Sequence, residues 1–218
     1  MGGRLTLGVG LSHRDWMESL GYSYARPAEF MREYLSILVP LLDSGEVDFC
    51  GKILSCTTRL GLPEPRRPIP VLLGALGPRM LELAGRLAAG TSAVWVGPRI
   101  LREHLVPAIR RAAEAAGRPP PRIVVTLPVC VSSDSAAAAE RARRDFAERG
   151  QLPSYRRNCE REGVDSPAAM SIIGGEAEVE DRIRELERLG ATDFGASSFD
   201  WTPEEEARTR GLLRRLAG

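Results

Sequence analysis

The chain has 218 residues, 43% hydrophobic and 27% charged, which suits an α/β domain with a buried core. A net charge of +1 removes any electrostatic case for nucleic acid or an acidic membrane, and no apolar run resembles a signal peptide or a bilayer span. Four scattered cysteines (Cys50, Cys56, Cys130, Cys159) without CxxC spacing argue against a zinc site or a disulfide framework, so no metal is expected and the reading is a cytoplasmic chain with reduced thiols.

Arg4 to Gly10 reads as a strand that begins almost at the first residue and runs into the polar loop Leu11-Ser12-His13-Arg14. Ser12 and His13 then fall just past the C-terminal end of the strand, the end that carries the chemistry in parallel α/β folds. An ordinary exposed loop histidine is an equally good reading of His13 from the residues alone. Asp15 to Arg26 is a loop with a short helical piece. From Pro27 the spacing of Phe30, Met31, Tyr34, Leu35, Leu38 and Leu41 predicts a helix closed by Ser44-Gly45. Val47 to Cys56 turns around Gly51-Lys52 as a small hairpin, and the prolines at 63, 65, 68 and 70 make an irregular return to the core.

Pro70 to Gly90 holds the clearest functional signal. Val71 to Leu73 is a short buried strand, Gly74 and Gly77 frame a turn, and Pro78 takes the first helical position, where its missing N–H costs nothing. Met80, Leu81, Leu83, Ala84, Leu87 and Ala88 continue at helical spacing. Such a helix start gathers backbone N–H groups on one point and favours an anion, typically phosphate, although steric need alone also accounts for the glycines.

Thr91 to Val96 is a second short strand, followed by Gly97-Pro98 and a helix from Arg99 to Ala116. Trp95 either walls a pocket or fills the core, and the core is the better reading for an inward aromatic. Arg122 to Val131 is the strongest strand, with Pro128 implying a bulge or an edge near its end. Ser133-Asp134 caps a helix from Ser135 to Arg149. Residues 150–172 carry no clear pattern beyond a short helix at 151–157. An amphipathic helix from Glu176 to Leu189, a strand from Ala191 to Ser197 and a helix from Thr202-Pro203 to Leu216 complete the chain.

Five parallel strands alternating with helices define an α/β class. A closed (β/α)8 barrel needs eight strands and about 250 residues. The choice is between an open doubly wound sheet and such a barrel with about five of its eight strands present, and a first strand that begins at residue 4 suggests that an N-terminal portion is missing. On this reading Met1 is not the native start. Exposed parallel edges favour association, for instance as a homodimer, or instability.

The ordered motifs resemble the bacterial-luciferase-like superfamily, and within it the F420-dependent luciferase-like class. Gly2-Gly3-Arg4 with Leu7-Gly8-Val9-Gly10 is similar to the family's central strand, and Glu18, Gly21 and the helix from Arg26 to Leu42 to the segment after it. Val47-Asp48-Phe49-Cys50-Gly51 resembles its hairpin. Pro63-Glu64-Pro65, Pro68 to Ala75 and Leu83 to Gly90 resemble its next strand and helix, with Ala89 where the family usually has aspartate. Ile173-Gly174-Gly175 through Asp193 resembles its C-terminal part.

The resemblance implies a TIM-like (β/α)8 barrel of the luciferase-like type, N-terminally incomplete with about five of eight strands present, as a single domain over residues 1–218 with an insertion at about 44–69, and a flavin or deazaflavin at the C-terminal ends of the strands. The turn Gly74, Ala75, Leu76, Gly77 would hold its phosphate, assisted by Gly97, with Gly10 and Ser12 beside it and His13 as the candidate catalytic proton donor or acceptor. The implied reaction is hydride transfer between F420 and a small organic substrate. The Ser12-His13 pair and the Gly-Ala-Leu-Gly-Pro turn favour F420. The alternatives are an FMN-dependent monooxygenase and a fragmentary, non-catalytic relative that binds a cofactor or a partner.

Overall fold

The computed structural model describes residues 5–61, 69–199 and 202–218. The motif positions at 2–4 and 62–68 lie outside the described residues, so the structure bears on neither. The chain divides into two compact units: residues 1–92 with 108–122, and residues 93–107 with 123–218.

In the first unit, β1 (Leu7–Val9) and β4 (Val71–Leu73) run parallel in the register Leu7↔Val71 to Val9↔Leu73. The start of β5 (Gly90–Val94) continues the sheet, with Leu72↔Gly90 and Leu73↔Thr91. Every residue of β4 is buried, which is why its three positions read as an unbroken apolar run. Between β1 and β4 lie α1 (Arg14–Ser19), α2 (Pro27–Asp43) and the antiparallel hairpin of β2 (Glu46–Cys50) and β3 (Ser55–Arg59). α3 (Pro78–Leu87) follows β4 and packs against α2.

The buried face of α2 differs from the expected stripe. Met31 and Leu35 are buried with Glu33, whereas Phe30 and Tyr34 stack on each other at the surface with centroids 6.2 Å apart. The reason is the hairpin. The Glu33 carboxylate accepts hydrogen bonds from the Lys52, Ile53 and Leu54 N–H groups at 3.0, 2.8 and 2.8 Å, closing the turn between β2 and β3. These bonds, that from Leu54 foremost, hold the Glu33 pKa below the ordinary carboxylate value against the opposing effect of burial.

The second unit centres on β6 (Arg122–Val131), whose residues from Ile123 onward belong to it. β8 (Asp193–Ser198) pairs with it in parallel from Val124↔Asp193 to Val129↔Ser198, and β7 (Ile172–Gly174) from Val129↔Ile172 to Val131↔Gly174. Of the bulge or edge expected at Pro128, the structure shows no bulge. The register with β8 runs through it uninterrupted. On the opposite side, Trp95 donates its N–H to the Thr126 carbonyl, and β7 begins to pair only at Val129. Backbone groups two residues apart face the same way along a strand, so the N–H that Pro128 lacks would point into the gap between these two partners.

β7 itself lies at the end of the stretch without a clear pattern. Three residues are too few to show a period, and counting it brings the parallel strands to six among the described residues. The helix expected from Arg99 is also broken. α4 (Pro98–Ile100) passes through a π turn at Leu101–Leu105 into α5 (Val106–Ala115), because Pro107 has no N–H to give the Glu103 carbonyl. The remaining helices are α6 (Ser135–Asp145), α7 (Pro153–Glu162), α8 (Glu176–Arg188) and α9 (Pro203–Ala217). No helix among the described residues is long and apolar enough to cross a membrane.

Candidate anion and cofactor site

The glycine turn is tied down by hydrogen bonds at the C-terminal ends of β1 and β4 and the start of β5. Gly74 donates its N–H to the Val9 carbonyl at 2.8 Å, tying β4 to β1 at the point where both strands stop. Thr91, fully buried, donates its hydroxyl to the Leu73 carbonyl at 2.8 Å and reaches the Ala75 carbonyl at 3.5 Å. Ala75 is buried beneath the turn. Gly10 and Gly74 face each other closely: a Cβ added to Gly10 would lie 3.9 Å from the Gly74 Cα. The structure thus brings Gly10 together with the turn.

Gly77 is the N-cap of α3 in extended conformation, with Pro78 at the first helical position. Its own side-chain position is open, with nothing within 4 Å of an ideal Cβ. The Leu81 N–H closes the first intrahelical bond to the Gly77 carbonyl. Among the described residues no side chain accepts from the Arg79 or Met80 N–H groups, which belong to the free donors of the first turn. An uncapped helix start beside a sterically open glycine fits a phosphate.

The loop after β1 belongs to the same unit. Ser12 is exposed and has φ 60, a left-handed conformation that non-glycine residues rarely adopt outside turns. Its carbonyl accepts from the Tyr24 hydroxyl at 3.2 Å. His13, half-buried, is the N-cap of α1 and packs its ring edge-to-face on Trp16, with centroids 4.8 Å apart. The geometry holds both side chains at the end of β1 by a strained turn and a ring contact.

Gly97, in the second unit, opens α4 with the same Gly-Pro-Arg sequence as Gly77, yet its environment is different. The Glu162 carboxylate, at the end of α7, accepts from the Arg99 N–H at 3.0 Å and the Ile100 N–H at 2.9 Å. A side chain on Gly97 would collide with that carboxylate. Of the two Gly-Pro-Arg helix starts, one is open and the other already holds an anion supplied by the chain. No spacing rule connects Glu162 with Gly97 across more than sixty residues, which is why Glu162 escapes a reading by motif.

Trp95, just past β5, is 3% exposed, as expected for a core residue, but its φ of 58 is unforeseen for so bulky a side chain. Its carbonyl accepts from the Asn158 amide at 2.9 Å, and its ring packs edge-to-face on Phe146. Asn158 is another residue that sequence reasoning misses.

The sequence profile of the luciferase-like monooxygenase family matches residues 1–193. The chain belongs to this family. It is 30% identical over 175 residues to the 5,10-methylenetetrahydromethanopterin reductase of Methanolobus tindarius, covering 80% of this chain and 53% of the relative. It is 28% identical over 185 residues to the F420-dependent glucose-6-phosphate dehydrogenase of Nakamurella multipartita, covering 82% of this chain and 52% of the relative. The chain therefore spans about half the length of these curated relatives. A solved F420-dependent secondary alcohol dehydrogenase, in complex with an F420-acetone adduct, shares the fold at a TM-score of 0.73 and 19% identity, over 91% of this chain and 66% of that one. The fold is thus the α/β fold of luciferase-like barrels, with fewer parallel strands among the described residues than the eight of a closed one.

Proposed function

We propose that this chain belongs to an oxidoreductase that uses the deazaflavin F420 for hydride transfer to or from a small organic substrate. The observation that carries the reading is the open helix start at Gly77-Pro78, built where β1 and β4 end beside the start of β5. The family membership and the F420-dependent relative support the choice of cofactor.

On this reading the Arg79 and Met80 N–H groups and the open face of Gly77 hold the cofactor phosphate. The close approach of Gly10 and Gly74 lets the phosphate-bearing chain pass over bare backbone. When bound, the deazaflavin supplies the carbon that gives or takes the hydride. His13, fixed by Trp16, is the group at the end of β1 that can hydrogen-bond the ring or exchange a proton beside it, and Ser12 adds a hydroxyl on the same loop. Glu162 keeps anions away from the start of α4, so the cofactor phosphate is assigned to the Gly77 turn rather than to Gly97.

The second reading is an FMN-dependent monooxygenase, of which the family's description supports the monooxygenase part. The test is a titration of the chain with F420 and with FMN, each followed by ring absorbance and fluorescence. F420 binding that weakens at least about tenfold in Gly77→Asp, a loss of about 1.4 kcal/mol, is the expected result. Tight FMN binding without F420 binding rejects the main reading, and binding of neither supports the fragmentary, non-catalytic one.

A further inference from the structure

The loop that follows β1 carries an uncovered apolar strip. His13, Trp16 and Leu20 stand three and four residues apart, so they share one face of α1. Trp16 is 51% exposed and Leu20 70%. α1 buries none of its residues. Of the seven large hydrophobic side chains exposed among the described residues, these two and Tyr22 fall within one short stretch of the chain.

The loop closes without the Trp16 and Leu20 side chains. The Tyr24 hydroxyl donates to the Ser12 carbonyl at 3.2 Å, and the Tyr22 N–H donates to the Met17 carbonyl at 3.0 Å. The Arg14 guanidinium lies 5.0 Å from the centre of the Tyr24 ring and pairs with Glu18 at 2.8 Å. The Trp16 indole instead meets the His13 ring, edge-to-face with centroids 4.8 Å apart. The strip therefore begins at an imidazole that can hydrogen-bond or exchange a proton, and continues over an indole to a leucine. Large apolar side chains left in water side by side mark a place that a ligand covers. Arg14 already shares its charge with Glu18, so the strip suits an uncharged ligand better than an anion.

We infer that His13, Trp16 and Leu20 form the substrate-binding strip of this site, and that the substrate is an uncharged organic molecule with an apolar, ring-bearing body and one hydroxyl or carbonyl group. The body lies on Trp16 and Leu20, and its polar oxygen meets the His13 imidazole, which can donate or accept the hydrogen bond. The inference rests on the oxidoreductase reading above, which requires a small organic substrate, and gives that substrate its class. Trp16 and Leu20 select what reaches His13.

The test follows the cofactor-free full chain by nuclear magnetic resonance during titration with benzyl alcohol, ethanol and glycerol. The signals read are the Trp16 indole N–H and the His13 ring protons, assigned through Trp16→Phe and His13→Gln. Benzyl alcohol is expected to move both saturably, ethanol to bind at least about tenfold more weakly because it leaves the strip uncovered, and glycerol to move neither. Trp16→Ala is expected to weaken benzyl alcohol binding at least about tenfold, and Leu20→Ser several-fold, with little change in Tm because α1 buries neither side chain. Leu20→Ser decides the matter should Trp16→Ala lower Tm. Gly77→Asp, which weakens F420 binding on the reading above, is expected to leave the benzyl alcohol shifts intact. The two readings therefore fail separately: a chain that binds benzyl alcohol on Trp16 but does not bind F420 keeps the strip and loses the cofactor. The assignment is wrong if benzyl alcohol does not move the Trp16 signal, if glycerol moves it as strongly, or if Trp16→Ala and Leu20→Ser both titrate like the parent. It is also wrong if the Trp16 signal moves with protein concentration alone, because a second copy of the chain then covers the strip.

Discussion

Two glycines in helix interiors should respond in opposite directions to the same substitution. Gly85 lies in α3 against α5: a Cβ added there would sit 2.5 Å from the Ile109 carbonyl oxygen, 2.8 Å from the Ala112 Cβ and 2.9 Å from the Ala113 nitrogen. Ordinary contact begins at 3.4 Å, so α3 must retreat by about 0.9 Å, and the opposing atoms are mostly backbone that cannot swing aside. Overpacking of this kind costs roughly 1–3 kcal/mol, against a gain in helix propensity of about 1 kcal/mol for glycine to alanine. The net expectation for Gly85→Ala is a loss of up to about 2 kcal/mol, or a fall in Tm of about 4–8 °C for a chain of this size. Gly211 in α9 meets only the far end of the Arg215 side chain, at 3.9 Å. Gly211→Ala therefore keeps the propensity gain, about 0.5–1 kcal/mol, and should raise Tm. Thermal and urea unfolding of both variants beside the parent checks the pair. Equal stabilisation by the two substitutions would refute the close approach of α3 and α5. Because α3 carries the open helix start at Gly77, Gly85→Ala should also weaken anion binding there.

Glu33 ionises at lower pH in the folded chain than in the unfolded one, so its contribution is complete above the ordinary glutamate range, about pH 4, and is lost as pH falls through the lower folded value. Glu33→Gln should lower Tm at neutral pH and flatten its decline on acidification, and a decline as steep as the parent's would count against the three-bond cap. Arg141 and Glu205 form a largely buried ion pair at 2.7 Å between α6 and α9. Glu205→Ala removes one partner of Arg141 and should destabilise the chain, measurable by urea unfolding, by more than removing the exposed pair of Arg14 and Glu18, which should cost under about 1 kcal/mol. Asn158→Leu strips the Trp95 carbonyl of its partner and should cost about 1–3 kcal/mol, with a change in near-ultraviolet circular dichroism if the Trp95 ring shifts against Phe146.

The sequence determined what depends on local periodicity and punctuation. Pro27, Pro78, Pro98, Pro153 and Pro203 each stand in the first turn of a helix, as a residue without an N–H should. The apolar run Val71 to Leu73 and the long run from Arg122 announced their strands, and the ordered motifs announced the family. The strand–turn–helix around Gly77 was legible for the same reason, since glycine, proline and helical spacing are all local. The tertiary structure alone decided which of two identical Gly-Pro-Arg helix starts stays open, because only folding brings Glu162 to the second. It likewise decided that α2 buries a carboxylate in place of Phe30 and Tyr34, because the hairpin's three N–H groups need an acceptor once they leave water. Partners distant in sequence carry no period, so their identity is settled only when burial forces each polar group to find one.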